Sequence, residues 1–258
     1  MNRPKLEQPI LFISDAHLGG FSEKENERIE TELIQLINYC ERENIRIAIL
    51  GDLFDYWMEY PNHTPELGKK LLDRFERFNR KMGPGLYITG NHDNWTRKHF
   101  RERGFYPEHE QHICSLNGTK TMLLHGDGLS DSNHKLPRPR MHRLLRNEYF
   151  LRFYQTLLSS KMGIRVMKHF SRFTRSFSNN DEDGKKLTNW ARQKLKSTDI
   201  DLILCGHDHI PRCKEFPFGT YINLGTFYRH RSMVFYNNGT PSLVFWEHKT
   251  ESLQKFEQ

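Results

Sequence analysis

Apolar residues come in short bursts that stop at polar loops, and over the first ninety positions these alternate with longer charged segments. Residues 9–14 (PILFIS) form such a burst and predict a buried strand. The charged segment after it carries Ile29, Leu33, Leu36 and Ile37 at helical spacing. A strand over 45–50, a helix over 66–81 and a strand over 86–89 follow. Strand–helix–strand alternation marks a layered α/β fold with helices covering a sheet. Residues 119–124 and 201–205 predict two further buried strands. After residue 211 the runs are short and broken by Pro217, Gly219, Gly225, Gly239 and Pro241. That pattern predicts an antiparallel meander with Asn238-Gly239 as a hairpin turn.

Between about 130 and 197 the alternation lapses. From Met141 to Phe177 the segment is helical in character, with Tyr149, Phe150, Phe153, Tyr154, Phe170, Phe173 and Phe177 among basic residues. It reads as a helical lid inserted into one domain spanning 1–258. No internal repeat or low-complexity tract is evident.

Five polar fragments each follow a predicted strand: Asp15-Ala-His17, Gly51-Asp52-Leu-Phe-Asp55, Gly90-Asn91-His92-Asp93, His125-Gly126-Asp127 and Gly206-His207-Asp208-His209. In open α/β sheets, loops at the carboxyl ends of separate strands converge on the ligand site. Hydrolysis of a phosphate ester near neutrality needs a strong oxygen nucleophile and relief of charge on the phosphoryl oxygens, which two divalent cations supply. Two close cations need a shared anion, and Asp52 is the candidate. Asp15 and His17 can face one ion; Asn91 offers a neutral amide oxygen; His125, His207 and His209 offer imidazole nitrogens. Oxygen and nitrogen donors without thiolate favour Mn²⁺, Fe or Zn. Asp-x-His or His-Gly-Asp alone is more often a turn; five fragments in order point to a metal site. Asp55 and Asp93 are expected to hold loops or orient ligands, and Asp127 to do the same for His125. His92, beside Asn91, is the expected proton donor, the alternative being that it only packs the loop. Catalytic roles therefore fall to His92, Asn91 and Asp52.

Composition adds one contrast. Residues 135–196 hold sixteen Lys/Arg against four Asp/Glu, in a chain whose net charge is +7. The remainder is slightly acidic. A solvated helical face is the plain reading of such a run; a skew this large favours an anionic partner. The mean hydropathy of −0.78 agrees with part of the chain lying outside a main core. Cys40, Cys114, Cys205 and Cys213 form no CxxC pair, which suits a reduced cytosolic protein. No secretion signal or run of ~20 apolar residues stands out.

The motifs DAH, GDLFD, GNHD, HGD and GHDH resemble those of calcineurin-like metallophosphoesterases from residue 10 to about 210. The resemblance implies a four-layer α-β-β-α sandwich with a helical cap and a dinuclear site. One ion would take Asp15, His17, Asp52 and His209, the other Asp52, Asn91, His125 and His207. More narrowly, GDLFDYW, His125-Gly-Asp-Gly-Leu129, the basic insertion with Arg172 and Arg175, and Asn223-Leu-Gly-Thr226 look like UDP-2,3-diacylglucosamine pyrophosphohydrolases, in the branch with histidine in GNHD. That group acts in lipid A synthesis of Gram-negative bacteria, usually with Mn²⁺. It cleaves the substrate at the α-phosphorus, and its cap receives the acyl chains.

For such a substrate, Arg172, Arg175, Lys185 and Lys186 are candidate head-group contacts, with Asn133 and His134 also in reach. Phe150, Tyr154, Met162 and Phe170 could line the apolar side, or simply form the insertion's own core. An anionic inner-membrane surface is the expected partner, with the protein cytoplasmic and peripheral on that face and no stable nucleic-acid partner. A nucleotide or nucleic-acid phosphodiesterase is the competing enzyme reading. A scaffold that has lost its chemistry is disfavoured, because every expected site position holds a competent residue.

Overall fold

The computed structural model describes residues 4, 6–7, 9–131, 135–176 and 180–255, with the backbone alone at 170–176 and 180–183. Strands β1 (Ile10–Ile13), β2 (Arg46–Leu50), β3 (Gly85–Ile88) and β4 (Phe105–Glu108) run parallel. Antiparallel β10 (Ser232–Asn237), β11 (Thr240–Glu247) and β12 (Ser252–Lys255) extend that sheet to the order β12-β11-β10-β1-β2-β3-β4. The second sheet has the order β5-β6-β7-β9-β8. It is built from β5 (Gln111–Leu116), β6 (Thr119–Leu124), β7 (Leu202–Cys205), β8 (Arg212–Phe216) and β9 (Gly219–Asn223).

Strand alternation shows why the layers stack. Leu11, Ile13, Ile47 and Ile49 face helices α1 (Glu23–Arg42) and α2 (Lys69–Met82). Their neighbours Ile10, Phe12, Ala48 and Leu50 face the other way, against Leu123, Leu202, Leu204 and Ile222 of the second sheet. The outer face of that sheet, with Met122, Leu124, Ile203 and Tyr221, is covered by Leu187, Trp190, Ala191 and Leu195 of α7 (Asn180–Ser197). Helix, sheet, sheet and helix make four layers, as expected. Central strands buried on both faces read as continuous apolar runs, which is why PILFIS is legible. Helix α1 begins with the Ser22 hydroxyl accepting from the Glu25 backbone N–H, half of a capping box.

Strands β4 and β5 were not predicted. Each ends its sheet. Exposed edges do not need unbroken apolar sequence, and Pro107 within β4 is tolerated only at such an edge. The hairpin at Asn238-Gly239 forms as predicted, both residues having positive φ, between β10 and β11.

The segment expected as a lid over about 130–197 divides into two parts. Helices α4 (Arg140–Leu145), α5 (Glu148–Leu157) and α6 (Ser160–Ser176) stand apart from both sheets. They dock Leu145, Phe150, Leu151, Tyr154, Ile164 and Met167 against Met58, Tyr60 and Trp95. Helix α7 instead belongs to the sandwich, because the second sheet's outer face would otherwise meet water. Among the described residues no helix is long and apolar enough to cross a membrane.

Candidate metal centre

The five fragments occupy loops at the carboxyl ends of β1, β2, β3, β6 and β7. Backbone bonds from Asp15 N to Gly51 O and from His17 N to Asp52 O, both 3.0 Å, lay the first two loops side by side. Five of the expected ligands hold left-handed backbone: Asp15 (φ 49°), His17 (46°), Asp52 (52°), His207 (76°) and His209 (64°). For non-glycine residues this conformation costs of order 1–3 kcal/mol each, and it concentrates where function demands a particular side-chain direction.

Two glycines explain the recurring Gly before a ligand. A Cβ on Gly90 would lie 2.0 Å from Asp52 Oδ1, and one on Gly206 would lie 2.1 Å from Asp15 Oδ2. The ligand carboxylates occupy the space that a side chain would need.

All seven expected ligands meet. His17 Nε2 lies 3.1 Å from His209 Nε2, 3.7 Å from Asp15 Oδ1 and 3.9 Å from Asp52 Oδ2. His209 Nε2 is 3.3 Å from Asp15 Oδ1. On the other side of Asp52, His125 Nε2 lies 3.2 Å from Asp52 Oδ2 and 3.2 Å from Asn91 Oδ1. His207 packs its ring 5.1 Å from that of His125, and its backbone N–H donates to Asp15 Oδ2. Asp52 therefore stands between two groups of donors, as a bridging carboxylate must.

The donor atoms fit divalent cations. His125 turns Nδ1 to the Leu50 carbonyl at 2.9 Å, so that nitrogen carries the proton and the Nε2 lone pair faces two oxygens. His17 likewise turns Nδ1 to Asp55 Oδ1 at 3.3 Å and Nε2 to His209 Nε2. Asp15 Oδ1 is buried without a hydrogen bond. Acceptors converging without a donor between them form a cation site, and carboxylate–imidazole pairs such as Asp55–His17 set the tautomer of a ligand.

Electrostatics agree. Burial works against ionising Asp15 and Asp52, yet the surrounding histidines hold both well below the usual carboxylate range. Burial disfavours charge on His17 and His125 too, but the adjoining carboxylates outweigh it and push both up to about 10. His207, desolvated and beside His125, is pushed down to about 3 and stays neutral. The buried carboxylates thus favour positive charge beside His17 and His125, the charge that divalent cations would supply.

His92 sits at the rim. Its backbone N–H donates to Asp52 Oδ1 at 2.9 Å, Nδ1 lies 2.8 Å from the Asp55 carbonyl, and Nε2 is 4.0 Å from Asp52 Oδ2. Burial lowers its pKa. Asp93 ties the loops together, accepting from the N–H groups of Leu53 and Gly90 and from the Tyr87 hydroxyl.

Asp127 departs from expectation. Its carboxylate hydrogen-bonds Arg146 rather than His125, at 3.1 and 3.2 Å, with Arg138 Nε 3.3 Å away. Arg146 also donates to the carbonyls of Thr89, Gly90 and His109, joining the cap to two ligand loops. Sequence reasoning missed this clamp, because a cationic run does not reveal which arginine is buried. The one available signal was a carboxylate too deep to lack a cation. Tyr228 was also missed; its ring packs 5.8 Å from His17 and 6.1 Å from His209.

Of the expected substrate contacts, Asn133 and His134 lie outside the described residues, as do the side chains of Arg172, Arg175 and Phe170. Lys185 and Lys186 are exposed on α7, just beyond Gly184, which abuts the Asp208–Arg212 pair. Phe150 and Tyr154 pack on Trp95 at the root of the cap, while Met162 is exposed.

A bridged donor cluster at the carboxyl ends of strands from two stacked sheets defines a metal-dependent phosphoesterase. A sequence model of the calcineurin-like phosphoesterase family matches residues 8–211, and the chain belongs to that family. The family implies divalent metal ions. Relatives named UDP-2,3-diacylglucosamine hydrolase occur in Porphyromonas gingivalis (25% identical, covering 78% of this chain and 83% of that protein) and Edwardsiella ictaluri (25%, 87% and 86%). One in Vibrio cholerae is 22% identical over 89% of this chain and 94% of its own length. A solved structure, Yfce, a phosphoesterase from E. coli, is 14% identical with a TM-score of 0.48, covering 95% of this chain and 96% of that one.

Proposed function

We propose that the protein hydrolyses the pyrophosphate bond of UDP-2,3-diacylglucosamine, releasing UMP and 2,3-diacylglucosamine 1-phosphate in lipid A synthesis, with two Mn²⁺ ions. One observation carries the reading: beside a phosphoesterase metal cluster stands a cap with both a packed and an exposed apolar side. One side, with Phe150, Leu151 and Tyr154, is used against the sandwich. The other leaves Tyr149 83%, Phe153 64% and Leu157 70% exposed, at i, i+4 and i+8 on α5. Met162 and Val166 of α6 add to the exposed apolar residues. Exposed apolar patches mark sites of contact with apolar ligands or membranes, and a water-soluble diester would need none. The relatives' names point to the same substrate.

Asp15, His17, Asp52, Asn91, His125, His207 and His209 would hold the divalent ions, which when bound would provide a nucleophile near neutrality and offset charge on the phosphoryl group. The chain's own part is positioning and proton handling. Asp52 stays ionised between the two donor groups. His92, with Nδ1 held on the Asp55 carbonyl, exchanges its proton at Nε2, either donating a hydrogen bond to a phosphoryl oxygen or protonating the leaving sugar phosphate. Arg172, Arg175, Lys185, Lys186, Asn133 and His134 are the proposed head-group contacts. The outer cap face, flanked by Arg152, Lys161 and Arg165, rests on the anionic cytoplasmic face of the inner membrane, where such a lipid resides.

Incubation of pure protein with UDP-2,3-diacylglucosamine and Mn²⁺ should release UMP, at a rate that depends on detergent micelles and falls when the acyl chains are removed. Degradation of single-stranded DNA with no dependence on chain length would establish the nucleic-acid phosphodiesterase instead.

A further inference from the structure

Beside the Arg146 clamp lies a cleft of about 770 Å³ between the cap and the sandwich. Five arginines line it: Arg97, Arg138, Arg143, Arg146 and Arg152. Two of them are committed. Arg146 holds Asp127, and Arg138 is shared between Asp127 and Glu110. Arg152 has Glu148 at 3.6 Å, a pair exposed on both sides and therefore weak. Arg97 and Arg143 have no carboxylate within ion-pair distance among the described residues. The Arg143 side chain donates from Nε to the Arg138 carbonyl, and Arg97 reaches only the Gln155 amide oxygen, at 3.5 Å. Arg97 comes from the loop after the GNHD motif and Arg143 from α4, so sandwich and cap each supply one uncommitted cation.

The remaining walls are not those of a simple ion site. Trp95, Leu129, Leu145 and Leu151 also face the cleft. Asn94, Trp95 and Leu145 are shared with a smaller pocket that holds Asn91 and His92. The cleft is thus a neighbour of the metal centre across a common wall. Its volume falls in the range of small-ligand sites, ~300–1,000 Å³, far larger than an inorganic anion requires.

We propose that this cleft binds a phosphate-bearing ligand of nucleotide size, with Arg97 and Arg143 gripping the phosphate from opposite sides. Guanidinium groups are suited to this through forked, charge-assisted hydrogen bonds. An occupant would tie the cap to the sandwich. The ligand is a nucleotide separate from the substrate, whose attacked phosphorus has to lie at the metal centre under the proposed function.

UMP is the probe. Calorimetry on the metal-loaded full-length protein should show saturable binding that weakens with salt. R97A/R143A should lower the affinity at least tenfold without moving Tm, and R97K/R143K should recover much of the loss. Asp52→Asn, which disrupts the metal centre, should keep UMP binding. Wild-type affinity in the double alanine variant would overturn the proposal, as would complete loss of binding in Asp52→Asn, since the ligand would then sit on the metals. An unchanged KM for the UDP-sugar alongside lost UMP binding in R97A/R143A is the expected result; a raised KM would mean that the arginines serve the substrate itself and would overturn the separate site.

Discussion

The metal centre and the outer face of the cap use opposite means. In the centre, Asp15, His17, Asp52 and His125 are buried. Their direction is fixed by left-handed backbone, by loops laid together through main-chain bonds, and by glycines that leave room for neighbouring carboxylates. On the cap, Tyr149, Phe153 and Leu157 touch solvent and join no core cluster among the described residues. A site that performs one bond cleavage needs geometry held to a fraction of an ångström. A surface that receives flexible apolar matter needs only area and mobility. Preorganisation is built at the donor cluster and absent from the outer cap face.

Substitution should expose this contrast most strongly in the centre. Asp52→Ala removes the carboxylate that stands between the two donor groups. Metal content should fall, and turnover of an aryl phosphodiester should drop by ~10³-fold or more, since the ions supply both nucleophile and charge relief. Elemental analysis beside the assay checks both. His92→Ala should behave differently, lowering turnover by ~10²–10⁴-fold, the range for a lost general acid, while metal content stays near wild type. Loss of metal in His92→Ala would make His92 a structural residue, and the centre would then extend beyond its seven ligands.

Legibility in the sequence follows the same division. The residues that the structure brings together as a donor cluster were readable, because each fragment pairs a side chain able to coordinate with the glycine or turn that close approach demands. The buried strands were readable, because apolar faces on both sides leave an unbroken run. Edge strands β4 and β5 were not, since a half-exposed strand such as QHICSL carries polar residues at positions a central strand would not allow. The Arg146 clamp was invisible for another reason. Its partners, Asp127 and the carbonyls of Thr89, Gly90 and His109, are distant in sequence, and charge alone does not separate a buried arginine from a solvated one. The apolar segment of α7 was readable as helix but not as layer, because Leu187, Trp190 and Ala191 look the same whether they cover a sheet or a lid.

The clamp lies between the two regions and should yield an intermediate effect. Arg146→Ala leaves Asp127 with less compensation in a buried place and frees three carbonyls. Breaking such a pair costs roughly 3–5 kcal/mol, visible as a lower denaturation midpoint in urea. The pH dependence has a definite direction. Burial opposes ionisation of Asp127, but Arg146, His125 and Arg138 prevail and hold it at about 2, below its ordinary value of 3.8. Its contribution is therefore full above about pH 4 and is lost as the pH falls toward 2. Asp127→Asn should remove that part of the acid destabilisation while lowering stability at neutral pH. If the acid limb is unchanged in Asp127→Asn, the clamp is not an ionic one.

The smallest effect on stability is expected on the outer cap, and there the comparison can fail outright. Tyr149 and Phe153 are exposed on one side of α5, opposite the residues that root the helix on Trp95. Replacing both with serine removes apolar surface that is already in water, so the unfolding free energy should change by no more than the ~0.5 kcal/mol typical of surface changes. If the face receives lipid, the same double variant should bind anionic vesicles several-fold more weakly and raise KM for the diacyl substrate, leaving hydrolysis of a soluble aryl phosphodiester unaltered. Salt should weaken vesicle binding in the wild type, because Arg152, Lys161 and Arg165 flank the apolar strip and act through a screened field. Equal vesicle binding and equal KM in the serine variant would mean that the exposed aromatics serve something other than lipid. The cap's apolar outer side would then stand without a role in the reaction, and substrate choice would have to reside in the inner pocket beside His92.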